Sequence, residues 1–573
     1  MLVGGHAPLC IHADADARVA ACRLPAPFAV RTTIEALHIA VAVGLDPGAG
    51  ASRTGRIGRG RTDGVRYAYR RRYDARRRDT AGADLRCGDR CAPDGWRRYG
   101  LGAGGTDDTY QGKCKKCALH GVPSSVVGTA GKRATRFPVP QPNLALPTSP
   151  CSRASVAPTN KGKRTVYDYI IVGGGSAGSV MANRLSARSS NKVLLCEAGQ
   201  DTPPGKEPPE IADSYSGTAY FDPRFHWTEL KVHTQVVSHN NPHESRPPLR
   251  KYEQARVLGG GSSINGQMAN RGAPTDYEEW QSRGAAGWGW NDVLPYFKKV
   301  ERDLDFDGPF HGKDGRIPVR RIPREHWTGH AKAVGKAFEE KGFKFLPDQN
   351  GEFVDGYFPV THSNADERRV SAAMGYLDTE TRKRSNLTIS TDTQVKSLTF
   401  EGTRCVGVTA MVGGKEQEFR GREIILSSGA IHSPAHLMRA GIGPVGQLAD
   451  LGIPVISALP GVGQRLMDHP SIALSSFIRR GARLTEHTGR HIHLGLRYSS
   501  GLPGIPKGDM FVAVVSKSAW HAVGEQIASL LTFINKTYSE TGQVKLTSRD
   551  WRSEPLVEFN LLSDKRDLDR LMS

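Results

Sequence analysis

A chain of 573 residues with 38% hydrophobic side chains can bury cores in roughly two to four domains, which excludes a peptide-sized module. Its formal charge of +20 is concentrated at one end: residues 1–165 hold 22 Arg and 6 Lys against 12 acidic residues, while residues 166–573 hold 50 basic and 46 acidic. A body so near neutrality has no electrostatic footprint for nucleic acid, and no run of 18 or more apolar residues predicts a transmembrane segment.

The first 165 residues are Gly-, Arg-, Ala- and Pro-rich from Pro47 onward, with neither a helical nor a strand period. The apolar stretch Ile34–Leu45 is too short to span a membrane, and Asp14 and Asp16 stand where a signal peptide needs basic then apolar residues. Three readings compete for this segment. It is disordered, or translated from upstream of the natural start; it is a zinc module built on Cys87, Cys91, Cys114 and Cys117; or it is a basic arm for RNA or anionic lipid. The first is preferred, because few apolar residues lie between the thiol pairs to pack a zinc ribbon. After residue 165 only Cys196 and Cys405 remain. The body is therefore expected to lack a disulfide framework and to fit a reducing, cytoplasmic compartment.

At Val166 the texture changes to "VYDYIIVGGGSAGSVMANRL", predicted as strand, glycine turn and helix, followed by a second strand in "KVLLCEAG". Gly173, Gly175 and Gly178 match G-x-G-x-x-G. The first allows the turn, the second admits a pyrophosphate to the backbone, and the third lets helix pack on strand. Ser176 and Ala177 open the helix, whose N-terminus suits a phosphate. Glu197, 19 residues beyond Gly178, is placed to accept hydrogen bonds from ribose hydroxyls. These features predict a Rossmann-like unit and leave NAD and FAD both open.

Two later motifs bear on that choice: "ARVLGGGSSINGQMANRG" at Ala255–Gly272 and "SSGAIHSPAHLMRAGIGP" at Ser427–Pro444. With the first motif, and with "GVGQRLMDHP" and "LVEFNLLSDKRDLDRL", they resemble the glucose-methanol-choline (GMC) flavoprotein oxidoreductases, the bacterial choline- and alcohol-dehydrogenase-like members in particular. The resemblance runs from Val166 to Ser573. It implies an α/β fold in which a Rossmann-like FAD-binding domain is interleaved with a mixed-sheet substrate-binding domain. Expected divisions are 1–165 for the extension, 166–475 for the FAD domain with substrate-domain segments, and 476–573 for the rest of the substrate domain.

The same resemblance implies FAD as cofactor, with Arg256, Leu258, Gly259, Gly260, Ser263, Asn265 and Gly266 near the flavin, Val395 near the adenine, and Ser428, Gly429 and Ala430 on a strand end beside the dinucleotide. No His occurs in Ala255–Gly272, so the flavin is expected to be non-covalent. The implied reaction is oxidation of a small-molecule alcohol by hydride transfer to flavin N5, with the electron acceptor left open. The family's catalytic His pair is expected in a segment after the "FN" motif, beyond Ser573, so residues 1–573 are read as C-terminally truncated, with no catalytic residue of their own. The alternative is a non-catalytic remnant with weak or no nucleotide binding. His432 and His436 are read as scaffold, His469 as structural, and the "HWTEL" segment as a lid or substrate-domain piece. His487, His491 and His493 are read as ordinary loop and strand, so no metal site is expected.

Overall fold

The computed structural model describes residues 9–11, 165–235, 246–484, 487–518, 520–521 and 523–573. Its first sheet grows from the apolar runs picked out in the sequence. Strands β1 (Val166–Val172) and β2 (Val193–Cys196) flank helix α1 (Ser176–Ser186). Further along come β3 (Leu387–Ser390), β4 (Thr393–Glu401), β5 (Arg404–Val412), β6 (Lys415–Leu426) and helix α2 (Gly429–Arg439). The order is β3-β2-β1-β6-β5-β4, parallel across the first four strands and antiparallel where β4, β5 and β6 form a meander.

The period of two along these strands assigns each side chain a core. Ile170, Val172, Leu194, Cys196, Ile424 and Leu426 pack on one face with the meander and Leu437 of α2. Ile171, Val193, Leu195 and Ile425 pack on the other with Ala182 and Leu185 of α1. Both faces are covered, which is why "VLLC" is a continuous apolar run rather than an alternating one.

Two five-stranded sheets, with three two-stranded ones, complete the described body. One is mixed: Gln464–Leu466, Gly542–Lys545, Leu556–Leu561, Lys231–Gln235 and Arg250–Lys251, with its single parallel pair between Leu556–Leu561 and Lys231–Gln235. The other is antiparallel throughout: Ser471–Phe477, Ile527–Ile534, Met510–Val515, Ile492–Tyr498 and Gly356–Pro359. Each draws strands from both sides of residue 475, and Ser471–Phe477 runs across that position. The last helix, Lys565–Met572, docks through buried Asp567, which accepts hydrogen bonds from Thr537, Tyr538 and Ser539 and pairs with Arg570.

Leu9–Ile11 forms a three-residue strand antiparallel to the end of β6, at Ile424 to Leu426. The expectations for the rest of residues 1–164, including the four thiols of the zinc reading, lie outside the described residues. Cys196 and Cys405 are both free and buried.

Candidate functional site

The ends of β1 and β6 lie side by side, Val172 opposite Leu426, so the turn after each strand opens on the same spot. Gly173 takes φ +101, where an L side chain is strained, and a Cβ there would meet the Ser427 carbonyl oxygen at 2.6 Å. At Gly178 a Cβ would fall 1.9 Å from the Gly173 carbonyl oxygen. Gly175 is the N-cap of α1, with Ser176 and Ala177 in its first turn, so free N–H groups face the cleft. Ser427 and Ser428 brace the turn from the β6 side, their hydroxyls donating to the Gly173 carbonyl at 2.7 Å and the Val172 carbonyl at 2.9 Å.

A cleft of about 920 Å³, open solvent included, opens there. Of the residues expected at a cofactor, Gly173, Gly175, Ser176, Ala177, Glu197, Gly260, Val395, Ser428 and Gly429 line it. Glu197 is buried; its Oε2 accepts the Gly174 N–H at 2.7 Å and its Oε1 the Gly199 N–H at 2.8 Å. Burial pushes this carboxyl up to about 7, against the opposing pull of those N–H groups and the Arg256 guanidinium. Burial likewise drives the neighbouring Cys196 thiol up to about 12, so it is a packing group and no nucleophile.

The other expected residues stand behind the wall. Leu258 is fully buried under the turn, and the Gly259 N–H donates to the Gly174 carbonyl at 2.8 Å, tying the two glycine loops together. A Cβ on Gly260 would lie 2.7 Å from the Gly175 Cα. The polar side chains of this loop hold the loop itself: Ser263 donates to the Leu258 carbonyl at 2.8 Å, and Asn265 Oδ1 accepts from Arg369 at 3.0 Å and from the Gln267 N–H. Residues 260–263 wind into a single 3-10 turn, which consumes these local partners. Gly266 packs toward Ile492, and Ala430 against the core under α2. Ser428 to Ala430 are the N-cap and first turn of α2; the strand expected there ends at Leu426.

The sequence reading missed one wall. His432, His436 and Arg439 recur at helical spacing on α2 and line the cleft, as do Trp227 of the "HWTEL" segment and Trp551, Ser553 and Glu554. The i, i+4, i+7 recurrence was the available signal. Burial pushes the His436 imidazole down to about 3, and its Nδ1 is buried without a partner. His487, His491 and His493 form no metal cluster. Among the described residues the one group with ligand spacing is Glu301, Asp303 and His311. Arg271 is paired to Glu301 and Arg321 to Asp303, so two guanidinium groups already stand where a cation would be repelled.

A second cavity of about 870 Å³ adjoins the first: Tyr252 and Glu253 line it, and the next two residues, Gln254 and Ala255, line the cleft. Tyr220, Phe533, Phe559 and Leu561 give it an apolar wall, with Arg250, Glu253, Asp468 and His469 among its polar groups.

A glycine turn, buried acid and second glycine loop converging on one cleft fit a dinucleotide, and a family model decides which. The model described as GMC oxidoreductase matches residues 167–471. The chain belongs to the GMC oxidoreductase family. It is an FAD flavoprotein and an oxidoreductase acting on CH–OH donors. It is 45% identical over 417 residues to 5-(hydroxymethyl)furfural oxidase of Methylovorus sp. (strain MP688), covering 71% of this chain and 76% of that one. To the mitochondrial choline dehydrogenase of Homo sapiens it is 32% identical over 450 residues, covering 72% and 73%. Pyridoxine 4-oxidase from Mesorbium loti superposes with a TM-score of 0.62 at 28% identity, over 71% of this GMC chain and 78% of that one. Formate oxidase, at 22% identity and the same TM-score, shares the fold. No helix among the described residues is long and apolar enough to cross a membrane.

Proposed function

We propose that the protein oxidises a primary alcohol borne on a flat aromatic or furan-type ring to the aldehyde, with FAD held non-covalently in the glycine-lined cleft. The observation that carries this is the second cavity, whose lining residues Tyr252 and Glu253 lead along the chain into Gln254 and Ala255 of the cleft, and whose aromatic side chains stand beside polar groups. When bound, FAD would supply the acceptor for a hydride from the alcohol carbon, while a base takes the hydroxyl proton. The chain's own residues would hold the cofactor and orient the alcohol. Gly173, Gly175, Ser176, Ala177 and the α1 N-terminus would hold the pyrophosphate, with Gly178 letting α1 pack on β1. Glu197 would take the ribose, Val395 would lie toward the adenine, and the loop from Arg256 to Gly266 would back the flavin. Ser428 to Ala430 support the cleft from the α2 side.

His469 orients the substrate. Its Nδ1 lies 2.7 Å from the Ile534 carbonyl, an acceptor only, so Nδ1 carries the proton and Nε2 is left to accept from the alcohol hydroxyl. Burial holds the adjacent Asp468 carboxyl above its usual range. The 45% identity to a furan-alcohol oxidase supports the same class.

The test is a titration of the FAD-loaded protein with 5-hydroxymethylfurfural, benzyl alcohol and choline, following perturbation of the flavin absorbance. The furan and benzylic alcohols are expected to saturate it at concentrations at least roughly tenfold below choline, a difference of about 1.4 kcal/mol. Tighter binding of choline contradicts the substrate class.

A further inference from the structure

The wall missed in the sequence has a construction of its own. Residues 546–555 are the loop between strands Gly542–Lys545 and Leu556–Leu561, and they cross to α2 at two points. Glu554 Oε2 lies 2.9 Å from His432 Nε2, and Arg439 Nη2 donates to the Ser553 carbonyl at 2.6 Å. Neither contact is needed to close the hairpin. The loop is braced within itself: Thr547 Oγ1 donates to the Glu554 carbonyl, the Ser553 N–H to the Asp550 carbonyl, and Ser548 Oγ accepts the Asp550 N–H.

From His432 the contacts continue around the cleft. The Trp227 ring lies tilted against His432 at 4.5 Å, the Arg256 guanidinium lies over Trp227 at 4.9 Å, and Arg256 Nε donates to the Ala198 carbonyl at 3.2 Å. Ala198 is the residue after Glu197. The series Glu554, His432, Trp227, Arg256 and Ala198 thus links this loop to the residue next to the buried acid, and all but Arg256 are on the cleft lining. On the same lining His436 and Arg439 carry Nδ1 and Nε atoms that are buried without hydrogen-bond partners, available to a bound group.

We propose that residues 551–554 are a strap that closes the adenosine end of the FAD cleft, with the Glu554–His432 contact as its releasable tie. This rests on FAD as the occupant of the cleft. With the strap tied, the nucleotide is enclosed between the glycine turn and the α2 face. Capture and release of FAD then require the tie and the Arg439 contact to open together. A strap differs from an ordinary ligand contact in its kinetics: loosening it speeds entry as well as exit.

Full-length protein loaded with FAD, as wild type, Glu554→Ala, Glu554→Gln and Trp551→Ala, is diluted to measure release by recovery of free-flavin fluorescence. Capture is measured by quenching when the flavin-stripped protein is mixed with FAD. Glu554→Ala is expected to raise both rates by roughly tenfold, the scale of one lost charge-assisted hydrogen bond. Glu554→Gln, which keeps a hydrogen bond to His432, is expected to raise them less. Trp551→Ala removes the cover but neither tie, so it reports on the strap even if Glu554→Ala fails to fold. Release and capture within twofold of wild type in folded, flavin-loaded Trp551→Ala and Glu554→Gln overturn the strap. Faster release with unchanged capture also overturns it, because that describes a contact. A wild-type chain that takes up no flavin overturns the assignment of the cleft, and the strap with it.

Discussion

At Gly178 the missing side chain is what lets α1 begin against β1. A methyl group there would overlap the Gly173 carbonyl oxygen, and backbone cannot step aside as a side chain can. Gly178→Ala is expected to cost on the order of 1–3 kcal/mol and to leave the purified protein with little flavin, read from the thermal midpoint and the flavin-to-protein ratio. Glu197 makes folding and FAD binding depend on pH. Its carboxyl titrates near 7 in the folded chain against 4.5 for the ordinary group, so the folded apoprotein binds the extra proton. That stabilisation is complete below 4.5 and is lost as pH rises through about 7. Ribose hydroxyls donate best to the ionised form, so FAD affinity is expected to rise with pH through about 7 in wild type and to be flat in Glu197→Gln, by calorimetric titration. The glycines and Glu197 were legible because their roles follow from backbone geometry and spacing. Ser263 and Asn265 were not, because their partners, the Leu258 carbonyl and Arg369, are set by how the loop curls and by a residue 104 positions away. His432 was read as scaffold because its partner Glu554 lies 122 positions further on, where no local pattern shows it.

Between the sheets, single elements depend on buried charge. The loop around His311 is held by Asp303 Oδ2 at 2.9 Å and Asp348 Oδ2 at 2.8 Å, while Arg321 binds both carboxylates. Burial works against the imidazolium. The hydrogen bonds from Asp303, Asp348 and Glu301 overcome it and raise His311 to about 10, and the same contacts hold Asp303 and Asp348 below their usual range. The His311 contribution to stability is complete below 6.5 and disappears as pH rises through about 10; the carboxylate contribution is present above about 3.8 and disappears as pH falls. His311→Ala is expected to cost about 3–5 kcal/mol and to flatten the alkaline limb of the stability profile, measured by urea unfolding across pH. The strand, turn, helix and strand opening at Val166 was readable because period, glycine spacing and acid agree. The antiparallel sheet was folded into a single mixed-sheet expectation, since its strands come from residues 356 to 534 and pairing across such separations leaves no local mark.

Across the whole molecule, charge and chemistry are separated. Among the described residues, every one on the cleft and on the second cavity lies after residue 165, in the nearly neutral part of the chain, while the excess of arginine lies before it. Removing residues 1–165 is therefore expected to leave flavin content per chain unchanged, and a loss of flavin would give the Leu9–Ile11 pairing with β6 a role in shaping the cleft. The family was legible from three ordered motifs, whereas the substrate cavity was not, because Tyr220, Tyr252, Asp468, Phe533 and Phe559 come from scattered places and meet only in the fold. FAD in the glycine-lined cleft is the occupant on which oxidation of an alcohol depends. The visible spectrum of the purified protein, before and after heat denaturation, tests it most directly. The expected result is a set of flavin bands at about one flavin per chain, released into the supernatant as free FAD by heat, because no His in Ala255–Gly272 is there to bond it. A folded, colourless preparation that cannot be reconstituted with FAD would contradict the account.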